Sequence, residues 1–330
     1  MILAGDIGGT KTELALYAPG SSDRTPALER QLASHDFASL EAAVVEFLSV
    51  APDRRVSRAV FGIAGVVRGN RCETTNLPWH VDGVTLSNLL EGARVTLMND
   101  LATTAAGIDV LDPADLDVLQ VGVLARGARA VLAAGTGLGM VAVVRDGDRR
   151  VIVASEGGHA DFAPRNATED ELCAWLRTRY GRASVEHVLS GHGLADIYRF
   201  LSDTHREEEP AGFGARFEAA PDPAALVSAA ALDGSCERAR AALEIFIGAY
   251  GSEAGNLALR VIATEGLYIG GGIAPRVRAA FHTPRFMAAM RKKPPMSDLL
   301  SIIPVSLILE PRTSLWGAAH LALAPEGNPS

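Results

Sequence analysis

Residues 5–12 read GDIGGTKT, and this stretch decides how the chain begins. An apolar run at residues 1–4 precedes it and residues 12–17 alternate in character after it, which predicts strand, tight glycine turn, strand. A P-loop needs glycine before its lysine and a helix after the turn, but here Thr10 precedes Lys11 and a strand is expected next. The stretch therefore predicts a β-hairpin, whose adjacent glycines let backbone N–H groups approach a phosphate.

Two further glycine groups follow. Residues 135–139 read GTGLG and lie between apolar runs at 130–134 and 140–144, so strand, glycine turn and strand recur and indicate a duplicated architecture. A dinucleotide fingerprint would require a helix after this turn, whereas the next residues, MVAVV, are typical of a strand. Residues 270–272, all glycine, follow an expected strand and suit a nucleotide lying against the backbone.

The remaining pattern alternates strands with helices, which indicates an α/β fold. Helical spacing predicts helices over 40–50, with Ser39 as N-cap, over 235–263, and over 314–323 at the end of the chain. Thr168 and Glu171 predict a capping box, and the acid, glycine and proline residues of 205–223 predict a loop. We expect two domains with a cleft between them, the smaller formed by 1–110 plus 301–330 and the larger by 111–300.

Composition excludes several function classes. A net charge of −8 and a pI near 5.5 argue against a nucleic-acid-binding surface. The three cysteines are far apart and lie in no CxxC or Cys/His cluster, so neither a disulfide framework nor a cysteine-built zinc site is expected. The N-terminus does not read as a signal peptide and no apolar run is long enough to span a membrane, which predicts a soluble, cytoplasmic protein.

Three polar residues follow or end apolar strands. Asp100 lies just after the strand predicted at 95–98, where its carboxylate could accept a proton from a substrate hydroxyl. It could equally cap the helix that follows, and the residues alone leave both interpretations open. Asn99 beside it can offer an amide to a neighbouring hydroxyl. Asp6 directly precedes the first glycine turn and is a candidate ligand for a metal-bound water.

A second polar group lies in the middle of the chain. Glu156 and His159 are three residues apart in a glycine-containing loop, so both can converge on one ligand. Carboxylates and an imidazole match the ring of hydroxyls that a hexose presents. Glu186 is expected at the start of a helical stretch, where a surface charge is the simpler interpretation, and a single histidine such as His159 is more often structural.

The motifs together resemble a known family. DIGGTKT, GTGLG and GLYIGGG resemble the two phosphate motifs and the adenosine motif of the hexokinase–actin–chaperone-ATPase superfamily. Between them FGIAG, TTNLPW, LMNDL, SEGGHADFAP and VEHVLSGHGL resemble bacterial glucokinases in order and spacing, over essentially the whole chain. Val66, Val67 and His192 depart from the family pattern at positions where proline is common. The cysteine-rich zinc motif of the related repressor/kinase branch is absent from the sequence.

This resemblance implies a two-domain actin-like ATPase (ribonuclease H-like) fold and an ATP- and Mg²⁺-dependent kinase for the 6-hydroxyl of glucose, with Asp100 as general base. It also implies a homodimer. The sugar would contact Asn99, Asp100, Glu156, His159 and Glu186. The nucleotide would contact Asp6, Gly8, Gly9, Thr10, Lys11, Thr12, Gly135, Thr136, Gly137, Gly271 and Gly272. A kinase for another hexose, a sugar-sensing regulator without catalysis and a chaperone-type ATPase are the alternatives.

Overall fold

The computed structural model describes residues 1–51, 53 and 55–324. The chain forms two compact units. The first contains Met1–Leu116, Val143–Ala154 and the residues from Glu310 onward, and the second contains Asp117–Ala142 and Ser155–Leu309. The division into domains drawn from the sequence, at residues 110 and 300, stays a prediction.

The first unit is built on a five-stranded sheet. Its strands are β1 (Ile2–Ile7), β2 (Lys11–Tyr17), β3 (Leu28–Ala33), β4 (Arg58–Ile63) and β8 (Arg94–Asn99), in the order β3-β2-β1-β4-β8. The hairpin β1–β2 and the pair β2–β3 are antiparallel, whereas β1–β4 and β4–β8 are parallel. The C-terminal ends of the parallel strands β1, β4 and β8 therefore lie side by side at one end of the sheet. Asp6 and Asn99 lie at this end. A smaller antiparallel sheet contains β5 (Val67–Arg68), β6 (Arg71–Glu73) and β7 (His80–Asp82).

Helices cover both faces of the five-stranded sheet. These are α1 (Leu40–Ser49), α2 (Gly83–Leu89), α3 (Asp100–Gly107) and α12 (Thr313–Leu323). Ser39 caps α1 as predicted, since its side chain accepts the Ala42 N–H. The last helix, α12, packs its apolar side, including Leu315 and Ala318, against Ala4 and Val60 of the sheet. Burial of these fully enclosed side chains fixes the end of the chain on its first strand.

The second sheet has six strands. They are β9 (Leu116–Gln120), β10 (Arg129–Ala134), β11 (Leu138–Asp146), β12 (Arg149–Ser155), β13 (Gly266–Gly270) and β14 (Val305–Ile308), in the order β12-β11-β10-β13-β14-β9. Both glycine turns lead into a strand, β2 or β11, which confirms that neither is a P-loop or a dinucleotide fingerprint. The pairs β10–β13 and β13–β14 are parallel, so the second and third glycine groups leave the same edge.

The helices of the second unit are α4 (Ala167–Tyr180), α5 (Gly191–Asp203), α6 (Phe213–Ala219), α7 (Pro223–Leu232), α8 (Glu237–Val261), α9 (Arg278–Phe281), α10 (Pro284–Arg291) and α11 (Ser297–Ile302). The loop predicted at 205–223 is wrong in part, because α6 forms there around the buried Phe213 and Phe217. The capping box is also misplaced. Asn166, not Thr168, caps α4, and Glu169 is its partner.

Two global features bear on the sequence predictions. No helix within the described ranges is long and apolar enough to cross a membrane. All three cysteines are buried and unpaired, as expected from their spacing.

Candidate active site

The first glycine turn is held by hydroxyl groups. Gly8 N–H donates to the Lys11 carbonyl at 2.9 Å, which closes the turn between β1 and β2. Ser34 then donates from its Oγ to the Gly8 carbonyl at 2.8 Å, lies 2.9 Å from Thr12 Oγ1, and donates its N–H to the Thr10 carbonyl at 3.0 Å. Sequence reasoning missed Ser34, which fixes the turn from the end of β3.

The turn residues differ in what surrounds them. A Cβ atom at Gly9 would lie 2.6 Å from Asn76 Cβ, so packing requires glycine there. Thr10 is exposed, and Lys11 is partly exposed with its Nζ 2.9 Å from Glu13 Oε1. The turn therefore offers backbone N–H groups, a hydroxyl and an ammonium group on one short segment.

Asp6 lies half-buried beside this turn. Its Oδ1 accepts a hydrogen bond from Ser314 Oγ at 2.8 Å. Burial raises the pKa of Asp6 to about 7, the bond from Ser314 opposes that rise, and the nearby Asp100 and Glu13 carboxylates add to it. Glu13 is opposite Asp6 in the β1–β2 ladder, and one of its carboxylate oxygens is buried without a hydrogen-bond partner.

These carboxylates suit a divalent cation. Mg²⁺ binds through one or two carboxylates and keeps several waters. Asp6 and Glu13 supply that kind of donor set, and a cation would offset the burial and the carboxylate repulsion that raise the pKa of Asp6. Among the described residues no group of three or more His, Cys, Asp or Glu side chains could hold a metal directly. A metal held through water, with ligands also from a nucleotide, fits this arrangement.

Asp100 occupies the first turn of α3. The N-cap is Asn99, whose Oδ1 accepts the Leu101 N–H at 3.0 Å and whose Nδ2 donates to the Gly65 carbonyl at 3.1 Å. Asp100 Oδ1 lies 2.9 Å from the same Leu101 nitrogen. Asn99 therefore takes the N-cap position, and the Asp100 carboxylate accepts the same N–H from the first turn of the helix. Asp100 is partly exposed.

Ser314 links Asp6 to Asp100. Besides its bond to Asp6, its Oγ lies 3.3 Å from the Asp100 carbonyl, which also accepts from Thr103 Oγ1 at 2.8 Å. Thr103 Oγ1 and Ser314 Oγ are 2.9 Å apart. A serine at the start of the last helix thus joins the two acids, although 308 residues separate it from Asp6. The only sequence signal was the hydroxyl pair Thr313-Ser314 at the start of a predicted helix.

The second glycine turn is closed by its own backbone. Gly135 N–H donates to the Gly137 carbonyl at 2.8 Å, and Gly191 N–H donates to the Gly135 carbonyl at 2.9 Å. Tyr250, on α8, accepts the Ala134 N–H at its hydroxyl, 3.1 Å away, and so supports the strand that leads into the turn. A Cβ atom at Gly135 would meet no atom within 4 Å. This backbone is therefore open to a ligand.

Glu186 lies against the second turn. Its Oε2 accepts the Leu138 N–H at 2.8 Å and would be 2.6 Å from a Cβ atom at Gly137. The expected position of Glu186 at the start of a helix is wrong, because it lies in a turn and α5 begins only at Gly191. The residue is held there by its own backbone, whose N–H donates to the Gly158 carbonyl at 2.9 Å.

The structure brings the three predicted sugar ligands of the second unit together. Glu156 directly precedes a short 3₁₀ helix, Gly157–His159, and His159 is its last residue. His159 Nε2 is 3.9 Å from Glu156 Oε2, and its Nδ1 is 3.7 Å from Glu186 Oε1. The side chains of Glu156 and His159 are 66% and 60% exposed, so both are free to exchange water for substrate hydroxyls.

The third glycine group adjoins the second turn. Gly271 has φ +84°, and a Cβ atom there would lie 2.3 Å from the Ala134 carbonyl oxygen, so both conformation and packing require glycine. Gly272 would meet nothing within 4 Å. Of this pair, Gly271 therefore has a structural role and Gly272 presents open backbone.

The sequence and the fold of this chain are similar to those of known proteins. Residues 3–325 match a family model described as Glucokinase. A glucokinase from Synechocystis sp. is 42% identical and covers 97% of each chain. The crystal structure of a glucokinase from an Antarctic psychrotroph is 30% identical, with a TM-score of 0.84 over 97% of this chain and 98% of that one.

A more distant structure has the same fold. It is a ROK family glucokinase from Streptomyces griseus in complex with glucose and AMPPNP, 20% identical, with a TM-score of 0.60 over 97% of this chain and 98% of that one. These likenesses confirm the predicted α/β fold of the actin-like ATPases.

Proposed function

Because the chain belongs to the glucokinase family and is an ATP-dependent glucose kinase, we propose that Asp100 is its general base. The carboxylate would take the proton of the glucose 6-hydroxyl as that oxygen bonds to the γ-phosphorus of ATP. The bond between the γ-phosphorus and the β,γ-bridging oxygen breaks, and ADP leaves with the electron pair. After the transfer the proton is on Asp100, the phosphoryl group is on the sugar oxygen and the electron pair is on ADP.

One observation carries this assignment. Asn99 occupies the N-cap of α3, so the carboxylate of Asp100 is not needed to cap the helix. The helix N-terminus stabilises the ionised carboxylate, which is the form that accepts a proton. The hydroxyls of Thr103 and Ser314 fix the Asp100 backbone through its carbonyl. The side chain is partly exposed, as a group that meets a substrate must be.

The sugar contacts follow from the clustering in each unit. Asn99 and Asp100 of the first unit and Glu156, His159 and Glu186 of the second would bind the hydroxyls of glucose. Carboxylates accept hydrogen bonds from hydroxyls, an amide can accept or donate, and a charged partner strengthens each bond. The mutual distances of Glu156, His159 and Glu186 support a shared ligand.

The glycine turns would hold the nucleotide. The N–H groups of Gly8 and Gly135 close their turns, so the residues after them, Gly9 to Thr12 and Thr136 to Gly137, would contact the phosphates, and the open backbone at Gly272 suits the adenosine. Asp6 would hold Mg²⁺ through water. The cation supplies charge neutralisation for the phosphates when bound, and Asp6 must be ionised to attract it. We also propose a cytoplasmic homodimer, as in the family resemblance.

The Asp100→Asn variant tests the general base. Asparagine keeps the size of the side chain and can still accept the Leu101 N–H, but it cannot take a proton. Turnover at saturating glucose and Mg-ATP should fall by about two to four orders of magnitude, with much smaller changes in either Michaelis constant. Asp82→Asn is the matched control, because Asp82 caps α2 by accepting the Val84 N–H at 2.8 Å and has no proposed catalytic role.

Two results would contradict the assignment. A folded Asp100→Asn protein that keeps more than about a tenth of its turnover is incompatible with general-base catalysis. So is an equal loss in Asp82→Asn, which would show that the loss of any carboxylate at a helix N-terminus lowers turnover. A panel of glucose, mannose, fructose and N-acetylhexosamines with ATP, ADP and polyphosphate as donors decides how far the substrate range extends beyond glucose.

A further inference from the structure

The second unit contains a large cavity that shares no residue with the proposed site. Its volume is about 880 Å³, within the range of small-molecule pockets. One side of α8 lines its floor, at Ala241, Ile245, Gly248 and Ser252, and the start of α4 and the end of α10 form its walls. The Arg165 guanidinium packs closely over Gly248, because a Cβ atom there would lie 2.8 Å from it.

The charge of this cavity opposes that of the whole chain. Five cationic and three anionic side chains line it, although the protein carries a net charge of −8. The chain has three lysines, and two of them, Lys292 and Lys293, are here. Concentrated positive charge in a concave surface raises the local concentration of anions.

The cavity carboxylates that have ion-pair partners are bound to arginines. Glu169 accepts from the backbone N–H and the guanidinium of Arg165. Glu244 accepts from Arg240 and from Arg285. Arg206 is paired with Glu171, so among these lining residues the charged side chains without an ion pair are Glu207, Lys292 and Lys293, which leaves a net positive charge.

The two lysines have no such partner. Within the part of the chain that the structure describes, neither forms an ion pair, and Lys293 Nζ donates only to the Ser252 hydroxyl, at 2.8 Å. Burial lowers the pKa of Lys293, and Arg165 and Arg260 lower it further against the attraction of Glu253. An anion beside the ammonium group would remove that penalty.

We propose that this cavity binds a phosphorylated small molecule, with Lys292 and Lys293 contacting its phosphate. Lysine binds phosphate as a point charge, and Lys292 and Lys293 both line the cavity, so both can contribute positive charge to one site. The remaining volume and the apolar floor at Ala241 and Ile245 leave room for an organic portion. The site is separate from the proposed active site, so it does not depend on the assignment of Asp100.

Calorimetric titration of the full-length protein tests this proposal. The probes are inorganic phosphate and fructose 1,6-bisphosphate, each added in the presence of saturating glucose. We expect saturable binding of the sugar bisphosphate to the wild type, weakened at least about tenfold by the double substitution Lys292→Met and Lys293→Met, since each lost charged contact accounts for about that factor. Phosphate alone should bind more weakly at the same site.

A matched control removes the same amount of charge elsewhere in the second unit. Arg177→Met with Arg216→Met alters two exposed arginines that do not line the cavity and should leave the affinity unchanged. If both double variants bind the probe equally weakly, the loss of net charge alone explains the effect, and the proposal is overturned. If AMPPNP displaces the probe and the lysine variant still binds it, the probe lies at the glycine turns. That result would also overturn the proposal. Absence of saturable binding to the wild type also overturns it.

Discussion

Glu186 accepts the backbone N–H of Leu138 at 2.8 Å and at the same time places its other carboxylate oxygen 3.7 Å from His159 Nδ1. One carboxylate therefore touches both the second glycine turn and a proposed sugar ligand. Such a residue can transmit the position of the turn to the sugar-binding side chains, because both depend on the same carboxylate.

Substitutions at Glu186 should separate these two contacts. In Glu186→Gln the amide oxygen can still accept the Leu138 N–H, but the negative charge beside His159 is lost. We expect the Michaelis constant for glucose to rise about tenfold, while that for ATP changes little. In Glu186→Ala both constants should rise, because the Leu138 N–H loses its partner. Steady-state kinetics with each substrate varied in turn would measure this, and identical behaviour of the two variants would contradict it.

Gly135 and Gly137 both belong to the second glycine turn, but substitutions at the two positions should have different effects. Gly135→Ala adds a methyl group into open space, so the protein should fold normally. If phosphate approaches this backbone, the Michaelis constant for ATP should rise by about tenfold or more, while that for glucose stays within a small factor. Gly137→Ala should raise both constants, because its Cβ would displace Glu186. A normal constant for ATP in Gly135→Ala would remove this turn from the nucleotide site.

Glu156→Gln and His159→Ala should weaken glucose binding selectively. Each loses a hydrogen bond between a hydroxyl and a charged or polar group, which corresponds to about a tenfold to hundredfold loss of affinity when the partner is charged. The measurement is the Michaelis constant for glucose at saturating Mg-ATP. Glu218→Gln, an exposed carboxylate of the same unit, is the control and should behave as wild type. Unchanged constants in both variants would reject their assignment as sugar ligands.

The raised pKa of Asp6 predicts a pH dependence of stability. In the unfolded chain Asp6 releases its proton near pH 3.8, whereas in the folded protein it keeps the proton until about pH 7. The folded state therefore binds more protons between these values, and stability falls as pH rises through this range. Relative to wild type, Asp6→Asn should gain stability progressively from about pH 4 to 7 and hold a constant advantage above 7.

Chemical denaturation in EDTA, which keeps divalent cations from Asp6, would measure this difference. Ser314→Ala provides the internal control. Because the Ser314 hydrogen bond opposes the rise in the pKa of Asp6, its loss should move the upper end of the range to higher pH. An advantage of Asp6→Asn that is the same at every pH would contradict the assignment of the raised pKa.

Local patterns were sufficient to predict the strands on either side of the first two glycine turns. The alternation around GDIGGTKT and the apolar runs around GTGLG depend on residues a few positions apart, and the structure places strands there within one to three residues. The prediction that a strand and not a helix follows each turn depended on the same local pattern. Ser39 as the cap of α1 was predictable for the same reason.

Contacts between distant residues could not be predicted in this way. Nothing in the sequence near Asp6 indicates that Ser314 will donate to it, and nothing near Glu186 indicates the Leu138 N–H as its partner. Where local signals competed, the burial of side chains decided the outcome. Phe213 and Phe217 form one side of a short helix in a segment whose charges, glycine and proline suggested a loop.

The last helix has a consequence for how the enzyme is made. Strands β1 and β4 leave the ribosome early, but the apolar side of α12 that covers them, and the Ser314 hydroxyl that binds Asp6, are translated near the end of the chain. A nascent chain that stops before Thr313 has every glycine turn and the proposed base, yet the face of its first sheet that α12 covers stays exposed to chaperones and proteases. Synthesis itself thus delays the assembly of the first unit until α12 has been translated.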